Sequence, residues 1–202
     1  MSFKTKFAVA GLLLSLTSAA FSQTAAPTRL RGKVDAIDSQ TITMTTREGK
    51  VLKVALTKDT TYSYVKAMQM SDIKSGSFIG AAGKPGKDGA IEALEVVVFP
   101  EERRGTGEGH YAWDLLPESS MTNATVAAVT QGISGQDLNL VYKDGSKKVT
   151  VPKGTPIVTI VNGQSADVKA GLPVFIVAVP REGGEFTASR IVVGKDGVAP
   201  PM

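Results

Sequence analysis

The second half of the chain repeats the first, and this repeat limits the available folds more than any other feature. At an offset of 95 residues, Lys58-Asp59-Thr60-Thr61 aligns with Lys153-Gly154-Thr155-Pro156. Asp72-Ile73-Lys74-Ser75-Gly76 aligns with Asp167-Val168-Lys169-Ala170-Gly171, and Ala93-Leu94-Glu95-Val96-Val97-Val98 with Ala188-Ser189-Arg190-Ile191-Val192-Val193. Single-residue shifts fall at turns, as where Glu48-Gly49-Lys50 meets Asp144-Gly145-Ser146. An ordered series of matches means that one supersecondary unit is used twice.

Each unit reads as short strands. Thr41-Ile42-Thr43-Met44-Thr45 alternates with period two, which puts Ile42 and Met44 on one face and the threonines on the other. After a turn at Arg47-Glu48-Gly49-Lys50, residues 51–56 return with Leu52, Val54 and Leu56 facing inward. Residues 34–37, the β-branched and aromatic stretch 61–65, a strand starting at Phe78-Ile79, and residues 91–99 complete the first set. Pro85-Gly86-Lys87-Asp88-Gly89 is a hairpin turn, and residues 71–76 form one helical turn ended by Gly76. The second copy follows the same order at 124–129, 138–142, 148–151, 157–161, 174–179 and 186–193. The expected fold class is all-β: two tandem small OB-like β-barrels, whose closure protects strand edges, with a pair of small sandwiches as the alternative.

The chain starts with Lys4 and Lys6, an apolar run over 7–16, and small residues Thr17, Ser18, Ala19 and Ala20. This is the layout of a secretory signal peptide, with cleavage after Ser22 or after Ala20. The run is shorter than the roughly 20 apolar residues a spanning helix needs, and no cysteine follows it for a lipid anchor. The expected organisation is a signal peptide at 1–22, a tail at 23–29, one barrel at 30–100, a linker at 101–121, the second barrel at 122–196 and a tail at 197–202. A periplasmic or secreted protein that does not span the membrane follows, monomeric or weakly associated.

Without Lys4 and Lys6, 21 basic residues face 19 acidic ones, a net charge of +2. So small and interspersed a charge does not make a nucleic-acid surface. The absence of cysteine removes disulfides, thiolate metal sites and thiol catalysis.

The repeated Val-x-Ala-Ile or Val-Ala-Ala-Val, the Gly turn and the Asp-Ile/Val-Lys-x-Gly motif resemble a bacterial domain of unknown function found in exported proteins, often in tandem. The linker Arg104-Gly105-Thr106-Gly107-Glu108-Gly109-His110-Tyr111-Ala112-Trp113-Asp114-Leu115 is similar to that of its two-copy members, as are Met121-Thr122-Asn123-Ala124-Thr125-Val126 and the ending from Val193 to Pro201. The resemblance implies a β-barrel fold and no established activity. Some members carry a metal-transport permease label, which a chain lacking a set of spanning helices does not fit.

The linker concentrates unusual residues, including the only His and the only Trp. His110, Tyr111, Trp113 and Asp114 are the candidates for ligand binding or for contact between the barrels, with Trp113, Leu115 and Leu116 plugging the groove between them. Glu101, Glu102, Glu108, His110 and Asp114 offer oxygen and nitrogen ligands to a divalent ion. Met68 and Met70, with His110 and Trp113, supply the residue types of a copper site, although methionine filling a gap is the simpler role. No cofactor is otherwise indicated. Gly105-x-Gly107-x-Gly109 lacks the following helix of a phosphate loop and reads as a hinge. Ser119, Ser120 and Asp114 flank the only histidine without a recognisable elbow or oxyanion nest, so hydrolysis is the third reading. Asn123-Ala124-Thr125 matches a glycosylation acceptor at a strand start. The expectation is a binding or structural accessory module of the envelope that contacts a protein or a glycan, with a metal-binding accessory protein as the alternative.

Overall fold

Period-two alternation produces strands along the whole described chain. A computed structural model describes residues 26–132 and 135–200, so the expected signal peptide lies outside the described residues. The strands are β1 Thr28–Ile37, β2 Thr41–Thr46, β3 Val51–Ala55, β4 Thr61–Ala67, β5 Phe78–Pro85 and β6 Ile91–Val98 in the first copy. A linker strand, β7 Gly109–Ala112, precedes β8 Ser120–Gln131, β9 Gly135–Tyr142, β10 Gly145–Pro152, β11 Ile157–Asn162, β12 Pro173–Pro180 and β13 Phe186–Val193. Among the described residues the only helical pieces are three-residue 3-10 turns. The expected inward face is present, with Ile42, Met44 and Val54 fully buried.

The strands join in one sheet of thirteen, and their partners cross between the repeats. β1, β2 and β3 of the first copy continue into β13 and β12 of the second, and β12 returns to β1. That closes a first ring of five strands. β8, β9 and β10 of the second copy close a second ring with β6 and β5 of the first. Each ring is antiparallel except where its third strand meets the borrowed one, at β3 with β13 and at β10 with β6.

The cores follow the rings. One cluster joins Leu30, Val34, Ile42 and Met44 to Val174, Ile176 and Ile191. The other joins Ile79, Ala81 and Val96 to Val126, Leu138 and Leu140. The divisions at 30–100 and 122–196 therefore mark the sequence repeats and not the packing units. β1 also begins at Thr28, inside the expected tail, and β8 begins at Ser120, inside the expected linker.

The exchange runs through β4 and β11. Instead of turning back onto β3, β4 extends for seven residues, roughly 23 Å at strand rise, and pairs antiparallel with β11, its own counterpart. Val65, Ile160, Val97, Val158, Phe175 and Val192 form a third core around this seam.

The repeated Asp-Ile/Val-Lys-x-Gly motif ties each crossing strand to the far ring. Asp72 and Asp167 carboxylates accept the N–H groups of Gln69 and Gln164 at 2.8 and 2.9 Å. Ile73 and Val168 are buried in opposite cores. Gly76 and Gly171 take φ of +90° and +85°, which glycine adopts without a Cβ clash. Their N–H groups donate to Val126 and Val34 at 2.8 and 2.7 Å, in each case in the other repeat.

Candidate functional site

The linker lies across both rings. Its β7 pairs with the first residues of β8, a stretch that β9 does not reach. Pairing puts His110 opposite Thr122, and the imidazole Nδ1 sits 2.8 Å from the buried Thr122 hydroxyl. Burial, and then the charge of Lys147, lower the His110 pKa, so the ring is neutral near pH 7. Asn123 donates through Nδ2 to the Thr106 carbonyl at 3.0 Å and to the Tyr111 hydroxyl at 3.2 Å. Gly105, Gly107 and Gly109 all have positive φ, which winds the chain into β7.

Beyond β7 the chain reaches the first ring. The Arg29 guanidinium carbon stands 4.0 Å from the centre of the Trp113 ring, and Tyr111 meets that ring edge-on at 6.0 Å. Asp114 pairs with Arg31 at 2.8 Å and with Arg29 at 3.6 Å. Arg31 also lies over Phe175 of β12, at 5.2 Å. Burial opposes ionisation of Asp114, but the Arg31 hydrogen bond and the charges of Arg31 and Arg29 outweigh it, and its pKa falls below the usual carboxylate value. Trp113 thus packs beneath the arginines of β1, and Leu116 is 44% exposed.

The buried Ser119 hydroxyl accepts the Leu116 N–H at 3.0 Å and shares its one proton between the carbonyls of Trp113 and Leu116, at 2.9 and 2.7 Å. It closes a turn, while His110 faces Thr122, so Ser119 and His110 are not paired as nucleophile and base.

The metal candidates are not brought together. Glu108 accepts the Lys143 N–H at 3.0 Å, Glu101 holds Arg104 at 2.6 Å, and Asp114 is held by two arginines. Among the described residues no group of three or more His, Asp or Glu is placed to hold an ion. Met68 and Met70 pack against the core of the second ring and line a separate cavity of about 420 Å³ with Gln131, Gln136 and Ile157.

A further cleft, not indicated by the linker residues, lies at one end of the β4–β11 seam. It measures about 510 Å³, and Tyr62, Phe99, Arg103, Asn162 and Arg190 are among its walls. Arg103 follows β6 on a 3-10 turn and donates through Nη2 to Asn162 Oδ1 at 2.7 Å and to Ser63 Oγ at 3.3 Å. Ser63 and Asn162 are themselves a cross-strand pair. Burial lowers the Arg103 pKa, the facing charge of Arg190 lowers it further, and Glu102 opposes both. The sequence did hold one signal for this cleft: Arg190 stands where the first repeat has Glu95, within an otherwise matched stretch.

The chain matches no protein-family model, no curated protein and no solved structure.

Proposed function

We propose that the protein is an exported accessory module of the bacterial cell envelope, a member of the tandem family its motifs resemble, and that it works by binding. In this reading each five-stranded ring is an OB-like barrel, assembled from three strands of one repeat and two of the other. The strand order 1-2-3-5-4, with one parallel contact between the third and fifth strands, supports that assignment. OB-like barrels take oligosaccharides and other extended ligands on one strand face and its neighbouring loops.

The observation that carries the binding reading is the cleft beside Ser63 and Asn162. It is open, lined by hydroxyls, aromatic rings and two guanidiniums, and built from the paired β4 and β11, β13 and the turn after β6. Recognition sites combine apolar walls with a few fixed polar groups in this way. The linker, hydrogen-bonded to β8 and ion-paired to β1, holds the two rings that flank it.

The test begins with fractionation of cells that make the full chain and mass determination of the recovered protein. Export gives a periplasmic or secreted form that starts at Gln23 or Phe21. An uncleaved cytoplasmic form overturns export. The mature form is then screened against envelope glycans and by cross-linking in intact cells. Saturable binding to a glycan or an envelope protein supports the reading, and its absence overturns it.

A further inference from the structure

We propose that the cleft between Arg103 and Arg190 is an oxyanion site that receives a carboxylate or phosphate group of a small or extended anionic ligand. The inference rests on the binding reading above and names the ligand chemistry of that same cleft.

Two guanidiniums from separate elements converge here. Arg103 comes from the turn after β6 and Arg190 from β13. Like charges repel, and partial burial of one of them strengthens the repulsion. The partners of Arg103 are neutral: Nη2 is spent on Asn162 and Ser63. Among the described residues, no carboxylate forms a salt bridge with either arginine, and Arg190 has no side-chain hydrogen bond. Asn162 and Ser63 therefore orient the Arg103 fork without neutralising it. A planar fork fixed this way and a second guanidinium facing it suit an oxyanion, which accepts from both.

The two repeats supply an internal comparison. The same strands meet at the other end of the seam, where Val158 pairs with Ala67 in place of Asn162 with Ser63. The counterparts of Arg190, Tyr62 and Thr61 in that repeat position are Glu95, Ile157 and Pro156. The backbone arrangement is thus used twice, but the Ser63–Asn162 pair and the cation at position 190 are not repeated at the other end, where Val158, Ala67 and Glu95 stand in their places. Strand pairing alone does not require them. Tyr62 and Phe99 add ring surfaces beside the charges, as a uronate sugar would use.

The test is calorimetric titration of the mature protein with two probes, inorganic phosphate and a trigalacturonate, with a neutral trisaccharide as control. The variants are Arg190→Glu, Arg190→Gln and Arg103→Gln, with Arg47→Gln in the β2–β3 turn as a control. Arg190 is exposed, so its replacement leaves the fold intact, and circular dichroism verifies this. The expected result is saturable anion binding that weakens about tenfold or more in the three cleft variants and is unchanged in Arg47→Gln. Stronger binding of trigalacturonate identifies a carboxylate sugar as the source, and stronger binding of phosphate identifies a phosphorylated ligand. Anion binding of equal strength in wild type and Arg190→Glu overturns the site while leaving the binding reading in place. Failure of both probes to bind also overturns the site, even if the envelope screen yields a ligand.

Discussion

Val65 pairs across the β4–β11 seam with Ile160, the residue that occupies its own position in the other repeat. A residue paired opposite its own counterpart marks a local two-fold axis within one chain. The halves on either side of that axis exchange their last two strands. The chain is arranged like a strand-swapped dimer whose two copies are joined by a linker.

Cleavage of the linker should therefore not separate the halves. A protease site inserted after Gly105, where no atom lies near the missing Cβ, gives two pieces, each holding strands of both rings. The pieces are expected to co-elute under native conditions and to part only in denaturant. Separate elution of two folded halves would contradict the exchange.

The same topology predicts an energetic coupling. Leu30 of the first repeat is the direct cross-strand partner of Ile176 of the second, and both are buried in one core. Leu30→Ala and Ile176→Ala should each cost about 2–5 kcal/mol, and the double variant should depart from their sum by at least about 0.5 kcal/mol. Leu30→Ala with Leu138→Ala, which lie in different cores, should be additive. Denaturant unfolding curves measure all three.

Acid should loosen the linker from the first ring. The depressed Asp114 pKa means that the folded state favours the carboxylate. Its stabilisation is complete above the unfolded carboxylate range and is lost as pH falls through the lower folded value. The pair is about half exposed on the Asp side, so Asp114→Asn costs only about 1 kcal/mol or less. Trp113 is the sole tryptophan, and its fluorescence should change below about pH 4 and, in Asp114→Asn, already at neutral pH.

His110 gives the cleanest titration, because it is the only histidine. Its folded pKa is lowered by burial and by Lys147, so the neutral ring is the folded form. The native state should lose stability as pH falls from the ordinary histidine value through the folded one. Ring-proton NMR should give a midpoint below 6.5, the usual value. His110→Gln should flatten the pH dependence of stability in that window. A midpoint above the usual value would contradict the half-buried position beside Lys147.

The candidate site was legible in part. Tyr111, Trp113 and Asp114 stood out because single and aromatic residues in a long linker call for partners, and the partners turned out to be Arg29 and Arg31. Those arginines lie on a strand that starts in the expected tail, so no local spacing joined them to the linker. Glu108, His110 and Asp114 are close in sequence, yet each is held by a different element. The Arg103–Arg190 cleft was marked only by a charge reversal between repeats.

The strands, the alternation of Ile42, Met44 and Val54, the glycine turns and the use of one unit twice are all readable from the residues alone. These are local properties, set by side-chain period and by φ. Which repeat supplies the fourth and fifth strands of each ring depends instead on long-range packing. Both choices satisfy the same alternation, because the copies present near-equivalent faces to either partner. The choice is made where β4 runs on to meet β11 and buries Val65 and Ile160 against Val97 and Val192. That seam also brings Arg103 and Arg190 from distant stretches of the chain to one cleft.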